Sequence, residues 1–212
     1  LHLINIIIPD SYLPERKYIL SCIFQTFWNI QITISVSSKT DKYTIVSDGK
    51  NLSLPDNFFS QNPKTWLTED WNPTLPMKTI ETKKYGWESL CKESHLPDLF
   101  PSSNEFPKYS SNEDTHHLDL DIFGTSFYML SRYEETVSIA TDRHFRFPFS
   151  ESIACKGDLA NRPIVNEYLE ILWECLLKLS PDLKRKPRQF KINLSHDIDR
   201  PQFLNDSRQG TE

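Results

Sequence analysis

The pattern of hydrophobic and polar positions predicts alternating strands and helices over residues 1–54. Residues 1–8 are mostly apolar and end at a proline, which is typical of a buried strand. Pro14 suits a first helical turn, and apolar residues then recur at helical spacing as far as Phe27. The next segments read as a strand, a second strand, and a turn that leads into a third: 31–36, 43–46 and 47–54. This β-α-β-β-β opening predicts a sheet with a helix on one face.

The regular pattern disappears between Pro55 and Pro107. Seven of the fourteen prolines lie in this range, together with three of the five tryptophans, Trp66, Trp71 and Trp87. A structureless loop of this length is improbable in a compact domain. We therefore expect an irregular segment whose aromatic side chains pack onto the rest of the protein. An aromatic surface that stacks on carbohydrate is the alternative.

Order returns in the second half of the chain. Residues 119–137 show helical periodicity, and a stronger helix begins near Pro163 and ends before Ser180-Pro181. The basic run 184–188 lies between elements and is interpreted as a solvated linker. Residues 189–195 then alternate apolar and polar, which predicts a strand. The fold class predicted is α/β, with α+β as an open alternative, built on a mixed sheet with flanking helices.

Composition excludes several classes of protein. The 212 residues are 38% hydrophobic, which excludes general disorder. The net charge of −5 and the lack of a basic stripe argue against a nucleic-acid partner. No stretch approaches the roughly 18 apolar residues of a membrane span. Four cysteines without a C-x-x-C pair predict free thiols and a cytoplasmic location, although a chain without an initiator Met leaves an upstream export signal open.

Candidate chemistry is concentrated at the end of the last predicted strand. His196, Asp197 and Asp199 follow it directly, at the strand end where α/β folds place their sites. Two carboxylates this close resist joint ionisation unless a cation lies between them or their environments differ. One can then bind a metal while the other acts as a base, and His196 adds a further potential ligand. Asp-x-Asp alone is a weak signal, because such pairs often cap loops or helices.

Four blocks of sequence, in the expected order, resemble the polysaccharide deacetylase (NodB-homology) family. Residues 193–199, Asn-Leu-Ser-His-Asp-Ile-Asp, resemble its first catalytic motif, with Ser195 in place of the usual Thr. The other three resemble a domain that precedes the catalytic domain in some bacterial members: 123–135, 142–148 and 161–168. The resemblance divides the chain into an N-terminal accessory domain, 1–188, and the start of a catalytic (β/α) barrel, 189–212.

The resemblance implies a metal-dependent hydrolysis of acetyl groups from an N- or O-acetylated glycan. Asp197 would be the general base and Asp199 a ligand of a divalent metal, zinc being the expected one. The family's later H-x-x-x-H metal pair is missing, since no His follows His196 in the chain. A zinc site of this kind needs three protein ligands and a water. The chain by itself is therefore expected to be inactive, to hold no metal tightly, and to have a C-terminal catalytic domain as its partner.

Two other functions stay open. The chain could be a non-catalytic module that binds a carbohydrate or a protein through its aromatic residues. It could also be a haloacid-dehalogenase-like phosphatase, in which a strand likewise ends in Asp-x-Asp. That family places Gly-Thr or a similar pair after the second Asp, whereas Arg200-Pro201 follows here, so the phosphatase ranks last.

Overall fold

The computed structural model describes residues 3–102 and 107–197, and its strands form one six-stranded sheet and one two-stranded ladder. The strands of the large sheet are β1 Ile4–Pro9, β2 Ile32–Ser37, β3 Lys42–Ser47, β4 Lys50–Pro55, β7 Tyr109–Ser111 and β8 Thr115–Leu118. The ladder consists of β5 Lys78–Glu81 and β6 His95–Asp98. The order across the large sheet is β2-β1-β3-β4-β8-β7.

The large sheet is mixed, as the sequence predicted. β1 is parallel to β2 and antiparallel to β3, while β3 and β4 form the predicted hairpin. β4 is parallel to β8, and β7 is antiparallel to β8. The β-α-β-β-β opening is therefore confirmed. The sheet of the described residues is open, and it does not close into a barrel.

Helices pack beside the sheet and cover its core. They are α1 Leu13–Leu20, continued by a π-helix Ser21–Phe27, then α2 Ile122–Leu130, α3 Tyr133–Val137, α4 Ile153–Lys156 and α5 Ile164–Leu179. α2 contacts both α1 and α5, and α5 also contacts β4. Every second side chain of β1 points into the core, and Ile4, Ile6 and Ile8 are fully buried. No helix among the described residues is long and apolar enough to span a membrane.

The prediction of one continuous helix over residues 119–137 is wrong, because two helices, α2 and α3, occupy this range. The chain leaves α2 at Ser131, and Arg132 adopts a left-handed backbone conformation with φ of 56° before α3 begins. This turn places the ring of Tyr133 in the core, where its centroid lies 5.4 Å from that of Phe58. Its hydroxyl accepts a hydrogen bond from the backbone N–H of Leu67 at 3.0 Å. Tertiary packing thus outweighs the local helical periodicity.

The packing role predicted for the proline-rich segment is confirmed, and the alternative of a stacking surface is wrong for its tryptophans. Trp71 and Trp87 are buried, and Trp66 is half-buried. One aromatic cluster gathers rings from this segment and from α2 and α3 around Phe58. Its members are Tyr12, Phe59, Trp66, Trp71, Phe100, Phe127, Tyr128 and Tyr133.

The strand predicted over residues 189–195 is not formed in the described structure. These residues pair with no described strand, and the side chains of Phe190, Ile192 and Leu194 are exposed. A strand requires a neighbour for its backbone N–H and C=O groups. Because no such neighbour is offered by the described residues, the alternating pattern by itself does not produce a strand.

The solvated linker predicted for residues 184–188 is also wrong in part. The backbone N–H of Lys186 donates to the carbonyl of Trp28 at 2.8 Å. The guanidinium of Arg185 lies 4.7 Å from the ring centroid of Trp173 and pairs with Glu170. An Arg side chain stacks well on an aromatic face and forms a directional fork to a carboxylate, so a basic run can dock as well as solvate.

Gly124 lies where the first turn of α2 meets the aromatic cluster. Asp121 caps α2, since its Oδ1 accepts from the N–H of Gly124 at 2.8 Å and its Oδ2 from that of Phe58 at 2.7 Å. A Cβ on Gly124 would lie 2.4 Å from Asp121 Oδ2 and 2.4 Å from Phe58 Cβ. Both atoms belong to buried groups that cannot move aside without losing these bonds.

The substitution Gly124→Ala is expected to destabilise the protein by about 2–4 kcal/mol, the sum of overpacking and a damaged helix cap. Urea unfolding measures the change. Gly49→Asn is the matched control, because Gly49 has a φ of +79°, which Asn tolerates, and open space around its Cα. Equal stability of the Gly124 variant and the control would contradict this description of the contact.

Candidate functional site

A cavity opens where the chain leaves β4 and β6. Its volume is about 470 Å³, within the range of small-molecule sites. Most of its lining side chains are polar, and one aromatic ring and two prolines join them. The lining residues are Asn57, Gln61, Asp70, Asn72, Thr74, Pro76, Lys78, Asp98, Leu99, Phe100 and Pro101. We call this set the polar cavity.

Hydrogen bonds to neighbouring residues hold the side-chain amides of Asn57 and Asn72 in the cavity wall. Asn57 Nδ2 donates to the carbonyl of Phe100 at 2.7 Å and to Ser102 Oγ at 3.2 Å, which joins the loop after β4 to the loop after β6. The Tyr128 hydroxyl donates to Asn72 Oδ1 at 3.0 Å. Because this bond uses the carbonyl end of Asn72, the NH₂ group is the end that a ligand can engage.

A buried ion network supports the floor of the polar cavity. Lys108 Nζ lies 2.8 Å from Asp98 Oδ2 and 2.9 Å from Asp119 Oδ2. Ser102 Oγ donates a further hydrogen bond to Asp119. Burial raises the pKa of Asp98, although the neighbouring ammonium of Lys108 opposes that shift. Burial lowers the pKa of Lys108, but the attraction of Asp98 and Asp119 raises it overall.

The polar cavity offers the chemistry of a polyhydroxyl-binding site. Amide side chains can both donate hydrogen bonds to hydroxyl groups and accept them, ionised carboxylates can accept them, and Lys78 adds one cation. Phe100, Pro76 and Pro101 supply apolar surface for the faces of a sugar ring.

Two of the residues that the sequence singled out for metal chemistry, His196 and Asp197, do not line the polar cavity. His196 and Asp197 are exposed in an irregular segment, and Asp199 lies outside the described residues. Within the described part of the chain, no three His, Cys, Asp or Glu side chains meet in a way that could hold a metal ion. The roles predicted for Asp197 as base and for His196 and Asp199 as ligands therefore stay predictions.

Sequence reasoning missed the polar cavity. Its residues come from several loops and from the ends of two strands, β5 and β6, all within the range 57–101, where no period relates them. The acidic side chains gave no signal either, because Asp98 and Asp119 are indistinguishable in sequence from surface carboxylates. Only the position of Lys108 between them reveals that they are buried and paired.

Comparison with known protein families identifies the family to which the chain belongs. Residues 4–181 match a family described as "Family of unknown function (DUF7033)", and the chain belongs to this family. No curated protein and no solved structure shows a significant match. The matched range includes the large sheet, the five α-helices and every residue of the polar cavity.

The substitution Lys108→Met is expected to cost about 3–5 kcal/mol at neutral pH, because it leaves two buried carboxylates without a cation. Asp98 already has a raised pKa, and loss of Lys108 raises it further. Stability that depends on a raised carboxyl pKa is present below the unfolded-state value and is lost as the pH rises. The difference in free energy of unfolding between the variant and the wild type should therefore become smaller as the pH falls from 7 towards 4.

Urea unfolding at several pH values measures this gap. Lys156→Met is the matched control, since Lys156 forms an exposed pair with Glu151 and should change little at any pH. A loss for Lys108→Met that is the same at pH 7 and pH 4 would show that Asp98 does not titrate as described.

Proposed function

We propose that residues 1–188 are a non-catalytic glycan-binding module and that the polar cavity is its binding site. The observation that carries the proposal is the combination of fixed amides, a buried carboxylate and an aromatic ring around one cavity of about 470 Å³. The ligand class is an N- or O-acetylated glycan, as the resemblance of the sequence blocks to accessory domains of deacetylases implies.

The arrangement of the walls supports a sugar over a metal or a nucleotide. Amides predominate among the neutral polar groups, and they both donate and accept, as sugar hydroxyls do. Asp98 is paired with Lys108, which holds its carboxylate oxygens in place as hydrogen-bond acceptors. A phosphorylated ligand would meet two lining carboxylates, Asp70 and Asp98, against the single cation Lys78.

The substitution Gln61→Ala is expected to weaken glycan binding about fivefold, the value of roughly one lost hydrogen bond. Isothermal titration calorimetry with an N-acetylglucosamine tetramer and with acetylated xylan oligosaccharides measures the effect. Gln61 is half-buried at the cavity wall, so the variant should keep the stability of the wild type.

Lys64→Ala is the matched control, because Lys64 is exposed nearby and does not line the cavity. Its affinity should equal that of the wild type. Absence of binding to both oligosaccharides, or an equal loss in the two variants, would overturn the proposal.

A second function is favoured by a separate observation. We propose that residues 189–212 begin a metal-dependent deacetylase domain in the full-length protein, with Asp197 as base and Asp199 as a ligand of a divalent metal. Supporting this are the motif at 193–199 and the exposed apolar side chains of Phe190, Ile192 and Leu194. Such a set of side chains suits the first strand of a barrel, whose partner strands would come from the rest of the catalytic domain.

For this second proposal, the coding sequence beyond Glu212 is expected to continue and to encode an H-x-x-x-H pair. In that full-length protein, Asp197→Asn should lower acetate release by at least about a hundredfold while the bound metal is retained. Acetate assay and elemental analysis measure the two quantities. Asp182→Asn, an exposed change outside the motif, should leave both unchanged. A coding sequence that stops at Glu212 would contradict the proposal.

A further inference from the structure

A second cavity, separate from the polar cavity, lies under the docked basic linker. Its volume is about 250 Å³, and the linker, the end of the π-helix and the first half of α5 enclose it. The lining residues are Phe27, Trp28, Asn166, Leu169, Arg185, Lys186 and Arg188. We call this set the linker cleft. A neighbouring cavity shares three of these residues, Phe27, Lys186 and Arg188, and adds Lys191 to the wall.

Contacts with the body of the protein hold the linker over this cleft. The backbone N–H of Lys186 donates to the carbonyl of Trp28 at 2.8 Å, which fixes the linker at one point. Arg185 is fixed at another, between the ring of Trp173 and the carboxylate of Glu170. The rings of Trp28 and Trp173 contact each other edge to face at 5.4 Å, so the aromatic wall is continuous. The cleft is therefore preformed.

The cleft carries an excess of positive charge. Arg185, Lys186 and Arg188 line it and Lys191 lies beside it, while Glu170 is the carboxylate paired with its arginines. Arg185 Nη2 lies 2.5 Å from Glu170 Oε2, and Arg188 Nη2 lies 2.6 Å from Glu170 Oε1. One carboxylate cannot balance four cations, and a concave wall concentrates their field.

An incompletely satisfied guanidinium gives the second, independent observation. Arg185 Nη1 is buried and has no hydrogen-bond partner among the described residues. Buried donors of native proteins are nearly always paired, and an arginine group without an acceptor requires an explanation. Oxygen atoms of a bound anion would supply the acceptor and would form charge-assisted bonds, which are stronger than bonds to neutral groups.

From these contacts we propose that the linker cleft binds a small oxyanion, the phosphate or carboxylate group of a small molecule. Arg185 and Arg188 are its principal donors, and Lys186 and Lys191 add electrostatic attraction. Glu170 pairs with one nitrogen of each guanidinium and so holds both groups at the cleft, and its single charge does not neutralise the site. This binding is independent of the glycan site, because the two cavities share no lining residue.

Titration of the chain with inorganic phosphate and with citrate, at constant ionic strength set by chloride, tests the proposal. Trp28 lines the cleft and Trp173 contacts Arg185, so tryptophan fluorescence and calorimetry should both show saturable binding. Binding should weaken as the ionic strength rises. Saturation by phosphate but not citrate identifies a phosphate ligand, and saturation by citrate but not phosphate identifies a carboxylate ligand.

Two variants and a control define the donors. Arg188→Gln should weaken binding about tenfold, since it removes a charged hydrogen bond from an exposed side chain that is not needed for folding. Arg185→Lys keeps the charge but loses the fork, and it should weaken binding about fivefold or more. Lys64→Gln removes the same unit of charge, but Lys64 is far from the cleft in sequence and does not line it. The affinity of this control for phosphate and citrate should equal that of the wild type.

Absence of saturable binding of both ions, or a loss in Lys64→Gln equal to that in Arg188→Gln, would overturn the proposal. The first result would mean that the cleft only docks the linker. The second would mean that the ions respond to net charge and not to a site. Neither result would affect the glycan titrations, because those report on the polar cavity.

Discussion

The fold depends on a buried ion pair between Arg16 and Asp56. The guanidinium donates to both carboxylate oxygens, at 2.8 Å and 2.7 Å, and to the Tyr43 hydroxyl at 2.5 Å. Loss of one partner from such a pair leaves an uncompensated buried charge, which typically costs about 3–5 kcal/mol. The pair fixes α1 against the ends of β3 and β4. It also fixes the start of the next loop, where Asn57 enters the polar cavity and Phe58 donates to Asp121.

That constraint explains why charged groups gather so close to the core. Burial and the nearby Asp56 raise the pKa of Asp121 to about 7, against the opposing effect of the N–H groups of Phe58 and Gly124. The same design recurs below the polar cavity, where Lys108 compensates Asp98 and Asp119. In both places a cation offsets the free-energy cost of burying carboxylates. The ion pairs formed by Arg16 and Lys108 also hold the loops that carry the candidate site.

Periodicity predicted the elements that local sequence controls, and it failed where distant residues decide. The opening strands, the hairpin and α5 follow from alternation, turn residues and helical spacing. The break at Arg132 does not, because it serves the packing of Tyr133 against a ring far away in sequence. The candidate site could not be predicted for the same reason, since its walls are loops related only by the fold. Residues 189–195 alternate without forming a strand in the described structure, because alternation produces a strand only where a partner strand exists.

A crystal structure of the protein grown with an N-acetylglucosamine tetramer would show whether the polar cavity binds a glycan. We expect a sugar ring inside the cavity, with hydroxyl or acetamide groups about 2.7–3.2 Å from the side chains of Asn72 and Gln61. Asn57 should keep its position, because Phe100 and Ser102 already hold that amide. A well-ordered sugar bound elsewhere, with the cavity holding only solvent, would contradict glycan binding in the polar cavity.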